Sequence, residues 1–177
     1  VMEEPPEGVL FLLTADSLAG VLPTIRSRCV SFAIAPVSPA DCARYCTAHG
    51  VDKKTAALYS ELFDGHIGTV LTAARDKART EQVDKAMELA RAAQAGDSYT
   101  AAVLLAPYEK DKAGAAALLR DLRAVAAAGL QGSPQAPVQG QQAQRTLRLA
   151  EAAIQRLGAQ VNPKITLSVL AARFRGL

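Results

Sequence analysis

The residues best able to do chemistry are gathered in Leu22-Pro23-Thr24-Ile25-Arg26-Ser27-Arg28-Cys29. Two arginines, a serine and a cysteine within four positions supply permanent positive charge, a hydroxyl and a thiol. A guanidinium is planar and always protonated, so its natural chemistry is the neutralisation of carboxylate or phosphate oxygens. Taken alone, each residue has an ordinary use: an arginine pairs with an acid or faces water, and a cysteine fills a small apolar space. A second group is Cys42, Cys46 and His49. The two cysteines are four apart and so share one face of a helix. A structural zinc site takes four ligands, and a fourth at usable spacing is missing, so buried thiols are expected and no metal.

The arginine cluster lies between two apolar runs. Val9-Leu10-Phe11-Leu12-Leu13 has no polar alternation, which predicts a strand buried on both faces, as inside a parallel sheet. Val30-Ser31-Phe32-Ala33-Ile34 alternates and predicts a second, half-buried strand. Arg28 then falls in a short connection at a sheet end, where α/β proteins place functional groups.

Three pieces in order, Glu3-Glu4-Pro5-Pro6, Phe11-Leu12-Leu13-Thr14 and the stretch ending Ser27-Arg28-Cys29, resemble the end of the nucleotide-binding domain of clamp-loader subunits of bacterial DNA polymerase III, members of the AAA+ family. The resemblance implies that Arg28 acts in trans as an arginine finger on ATP held by a neighbouring subunit. It implies supporting roles for Ser27, through local hydrogen bonding, and for Cys29, through burial. It places Thr14 at a sensor-like position at the strand end. No phosphate-cradling Gly-x-x-x-x-Gly-Lys-Ser/Thr occurs, so no intact nucleotide site and no cofactor is expected here. Val1-Met2-Glu3-Glu4 has the look of the last turn of a helix, which predicts that the sequence is the C-terminal part of a longer protein.

Composition sets the frame. The 177 residues are half hydrophobic, only 5% aromatic and without Trp. Alanine and leucine make up the difference, which favours packed helices over a β-sandwich. A net charge of +3 is too weak to argue nucleic-acid binding by itself. Three cysteines and no signal-like N-terminus predict a reducing cytoplasm, and no apolar run has the length of a membrane span.

The fold expected is mainly α. The resemblance implies that residues 1–33 form the C-terminal end of a AAA+ nucleotide-binding-like domain, a short α/β remnant. It further implies that residues 34–76, opening on a hinge at Ala35-Pro36-Val37, form a three-helix lid and residues 77–177 an all-α collar bundle of the oligomerising kind. Ser38-Pro39-Ala40-Asp41 predicts a helix start with a capping-box acid. Further helices are expected from Asp52, Ile67 to Ala78, Glu81, Tyr99, Asp111, about Gln142 and Asn162-Pro163. The segment from Gly129 to Gln144, rich in Gly, Gln and Pro, is expected to be a flexible connection outside the core.

Phe63-Asp64-Gly65-His66-Ile67-Gly68-Thr69-Val70-Leu71 resembles the lid segment of the ATP-hydrolysing subunits, with one departure. Gly68 stands where those subunits carry an arginine that touches nucleotide. This favours a subunit that does not hydrolyse ATP, although a glycine there also suits a close helix crossing. The partners implied are the ATPase subunits of gamma/tau type, the delta subunit, and, through the complex, the sliding clamp and primer-template DNA; no membrane is implied. Two other readings are an ATP-hydrolysing subunit whose nucleotide site lies upstream, and a helical scaffold unrelated to replication. The chain by itself is expected to be non-catalytic.

Overall fold

A computed structural model describes residues 6–15, 17–35 and 37–175. The helix-end expectation for Val1 to Pro5, and Pro36 of the expected hinge, lie outside the described residues. The chain divides into two compact units, Val1–Ala35 and Pro36–Leu177. It is mainly α, with nine α-helices and no strand among the described residues.

Among the described residues of the first unit the sole α-helix is one turn, α1 (Pro23–Arg26), preceded by a short 3-10 turn at Leu18–Gly20. The two expected strands are absent. Leu10 and Leu12 are 80% and 86% exposed, and Phe32 and Ile34 are 85% and 96% exposed. The physical reason is that a strand is stable only when a neighbour takes up its N–H and C=O groups. The two apolar runs make no ladder with each other, so neither gains a face to bury.

The second unit contains α2 (Pro39–Ala48), α3 (Lys53–Leu62), α4 (Ile67–Arg75), α5 (Lys77–Ala95), α6 (Ser98–Leu105), α7 (Lys112–Leu130), α8 (Gly140–Gly158) and α9 (Pro163–Phe174). Local signals start most of them. Ser38 Oγ accepts from Asp41 N at 3.1 Å and donates to the Asp41 carboxylate at 2.7 Å, which completes the cap of α2. Asp52, Asp97, Asp111 and Asn162 each accept an N–H of the first turn that follows. Asp76 corrects the expected helix boundary. Its carboxylate accepts from Ala78 N at 2.9 Å, so α4 stops and α5 begins four residues before Glu81.

Helix α7 is the centre of this unit, packed against α8, α5 and α3. Its Leu118, Leu119, Leu122 and Val125 repeat at helical spacing and are buried. Cys42, Cys46, Ala56 and Val70 close the α2–α4 end of the same core.

The segment between α7 and α8 departs most from expectation. It is a strap that belongs to the core, with Val138 fully buried and Ala136 nearly so. Gln139 N donates to Gln94 Oε1 on α5 at 2.9 Å, and Gln139 Nε2 donates to Ser133 O and Ala136 O at 2.8 Å each. Ser133 Oγ donates to the Glu61 carboxylate on α3. Polar composition misled here, because the glutamine satisfies backbone groups that would otherwise be stranded. Gly129 makes the arrangement fit: a Cβ there would lie 1.9 Å from Val138 O. Gly129→Ala is therefore expected to cost about 1–3 kcal/mol through overpacking. Thermal unfolding checks this, with the melting temperature falling by several degrees.

Two exposed caps give a pH dependence. Hydrogen bonds from the Thr100 hydroxyl and backbone hold the Asp97 carboxyl below its ordinary value of 3.8, and the Thr55 backbone N–H does the same for Asp52. A lowered folded-state value means that the ionised form is favoured by folding. The stabilisation is thus fully present above pH 3.8 and is lost as pH falls through the lower folded values. Asp97→Asn keeps a good cap, so stability near pH 7 should change little while the acid-unfolding slope becomes shallower. Denaturant titrations at pH 7 and pH 3 measure both.

Candidate functional site

The arginine cluster is built on the α1 turn. Pro23 at its first position fixes φ and needs no N–H partner. Ile25 N and Arg26 N both donate to Leu22 O, and Ser27 N donates to Pro23 O at 3.0 Å. The end of a helix leaves carbonyls without an internal partner. Here the Thr24 carbonyl receives two side-chain donors, Ser27 Oγ at 3.1 Å and Arg28 Nη1 at 2.7 Å. A cation at a helix C-terminus is also favoured by the aligned peptide dipoles. Ser27 and Arg28 thus hold the turn together from its C-terminal side.

Arg26, Ser27, Arg28 and Cys29 are all exposed. Cys29 corrects the expectation of burial: no apolar layer covers it, because the run from Val30 to Ile34 that would supply one is itself exposed. Thr14 is exposed and follows the exposed run Val9–Leu13. What the described geometry brings together is Thr24, Ser27 and Arg28. The bonds that join this group, both to Thr24 O, do not involve Thr14. The helical turn around Arg28 was not foreseen from the sequence, although Pro23 followed by four non-glycine residues was a usable signal. The arrangement places a permanently charged guanidinium on an ordered, exposed turn.

The second candidate group does not assemble. Cys42 and Cys46 are buried, and burial together with the neighbouring Cys42 pushes the Cys46 thiol above its ordinary value. A protonated, enclosed thiol is unreactive and a poor ligand. His49 is turned to the surface, stacked on Tyr45 with ring centroids 4.0 Å apart. Among the described residues no group of three or more His, Cys, Asp or Glu side chains is placed to hold a metal.

Gly68 lies exposed near the start of α4, and a Cβ added there would meet nothing within 4 Å. A close helix crossing therefore does not explain the glycine. Gly65 is different: its φ is +72° and a Cβ would lie 1.7 Å from Val37 O. That position admits only glycine.

Residues 1–38 match the family model described as DNA polymerase III, delta subunit. This stretch is similar to the DNA polymerase III clamp-loader type. The match contains Thr14 and the whole α1 turn with Ser27, Arg28 and Cys29. No curated protein and no solved structure matches the chain. No helix among the described residues is long and apolar enough to cross a membrane.

Proposed function

We propose that this chain is a non-hydrolysing, delta-prime-type clamp-loader subunit of bacterial DNA polymerase III. In this reading it works in the cytoplasm beside ATPase subunits of gamma/tau type and a delta subunit. Arg28 reaches the ATP of a neighbouring subunit and offsets the charge that builds on the γ-phosphate oxygens during hydrolysis. The reading rests on one observation above the others: an exposed arginine, fixed on its own helical turn, lies inside the stretch similar to the clamp-loader type. Gly68 adds to it, since packing does not require a glycine there and a glycine offers no cation to nucleotide. Residues 34–76 and 77–177 serve as lid and collar, the collar joining the chain to its neighbours.

The assembly is tested by mixing the protein with gamma/tau-type and delta subunits and following the mixture by size-exclusion chromatography. A stoichiometric complex that loads sliding clamps onto primed DNA is the expected result. Failure to enter any complex with those subunits overturns the proposal. A clamp-loading complex in which the chain itself binds and hydrolyses ATP overturns the non-hydrolysing part alone.

A further inference from the structure

The last two helices carry a charge imbalance that the rest of the chain conceals. Residues 140–177 hold six basic side chains, Arg145, Arg148, Arg156, Lys164, Arg173 and Arg175, against one acid, Glu151. Since the whole chain is only +3, the remainder is net acidic. Glu151 faces Arg123 on α7 at 4.0 Å, and Lys164 is occupied by Glu109 at 3.3 Å.

The arginines converge on the seam between α8 and α9. Arg156 and Arg173 line the same shallow groove, whose floor is made by Leu149, Ala153, Val169 and Leu170. Arg145 Nη2 donates to Arg173 O at 2.7 Å, closing the C-terminal end of α9 and bringing the two helices' arginines to one edge. Arg148 lies three residues from Arg145 and four from Ala152, another groove residue, hence on the same side of α8. Arg148, Arg173 and Arg175 are exposed and Arg156 is half-buried. From Arg145 to Arg156 the helix rises about 16 Å, the reach of a few consecutive phosphates.

We propose that the α8–α9 seam is a binding site for the phosphate backbone of nucleic acid. The groove is too shallow to seat an apolar anchor from a peptide, and it contains no aromatic ring on which a base would stack. What it offers is a row of guanidiniums, whose planar fork matches phosphate oxygens in a bidentate fashion. Binding through that chemistry is indifferent to base sequence and is governed by release of counterions. Arg148, Arg156, Arg173 and Arg175 make the contacts, and Arg145 positions the end of α9.

The test is fluorescence anisotropy of the 177-residue protein with labelled mixed-sequence duplex DNA, titrated at salt concentrations from 50 to 200 mM. Non-specific sites of this kind bind in the range of about 10⁻⁴–10⁻⁶ M, and about four phosphate contacts give a log–log salt slope of about −3.6. The double variant Arg156→Gln/Arg173→Gln should weaken binding by roughly tenfold and flatten the slope by about 2. Arg148→Gln/Arg175→Gln should act in the same direction, so the conclusion does not hang on one pair. Arg44→Gln/Lys54→Gln, on α2 and α3, should bind like the unaltered protein. Circular dichroism melts establish that each variant is folded. No binding at 50 mM salt overturns the proposal, as does a double variant that binds DNA normally. Poly-glutamate binding more tightly than DNA at matched charge assigns the seam to an acidic protein and equally overturns it.

Discussion

Replacing Arg28 by alanine is expected to lower ATP hydrolysis at the adjacent site of the assembled complex by roughly 10³-fold, the lower end of what an arginine finger supplies in trans. The steady-state, DNA-dependent rate of the complex then falls by the share that this site contributes. Assembly should survive, because Arg28 is exposed at the surface and lies outside the helical core of the second unit. Arg28→Lys should not restore the rate. An ammonium is a compact point charge and cannot place two parallel donors on phosphate oxygens as a guanidinium does. Arg26→Ala is the internal comparison: the same turn loses a cation two residues away, and turnover should stay near normal. Single-turnover hydrolysis by the reconstituted complex separates these outcomes from changes in nucleotide affinity. Normal turnover with Arg28→Ala contradicts the assigned role, whatever its effect on clamp loading.

How much of this was open to sequence reasoning depended on the range of the interaction. The caps at Ser38, Asp52, Asp97, Asp111 and Asn162 act over two or three residues, so the signal and its partner lie in the same short window. The stripe Leu118, Leu122 and Val125 was legible for the same reason. The strap was not, because the groups that order Gln139 and Ser133 come from Gln94 and Glu61, far away in the chain. The error at Val9–Leu13 has the opposite form. Its pattern is that of a buried strand, yet a strand is a property of at least two segments, and the first unit supplies no ladder for it. At the candidate site the sequence singles out Thr14, Ser27 and Arg28, while the turn that joins Ser27 and Arg28 through Thr24 carries no such signal beyond Pro23. Burial of Cys29, which the resemblance implies, does not hold, because the adjoining run Val30–Ile34 is itself exposed.

The most consequential interaction with no sequence signature is the ion pair between Arg79 on α5 and Asp121 on α7. Asp121 is buried in the face of α7 that also carries Leu118 and Leu122. Its carboxylate accepts from both terminal nitrogens of Arg79 and from Gln82 Nε2 at 2.7 Å. The hydrogen bonds to Asp121 raise the Arg79 guanidinium above its ordinary value, and its carbon lies 5.7 Å from the centre of the Phe63 ring. One arginine thereby touches the end of α3 and the middle of α7 from α5. Removing one partner of such a pair leaves an uncompensated charge, at a cost of about 3–5 kcal/mol when it is fully enclosed. The Arg79 side chain remains 25% exposed and that of Asp121 only 6%, so the two truncations should differ. Arg79→Ala strands the more enclosed charge and should cost about 4 kcal/mol, whereas Asp121→Ala leaves a cation with partial access to water and should cost about 3. Arg79→Met/Asp121→Leu removes both charges and refills the space, and should recover most of the loss. Urea unfolding of the three variants completes the cycle. Single losses below about 1 kcal/mol, the level of an exposed pair, would show that water reaches Asp121 and that α5 and α7 are held by apolar packing alone.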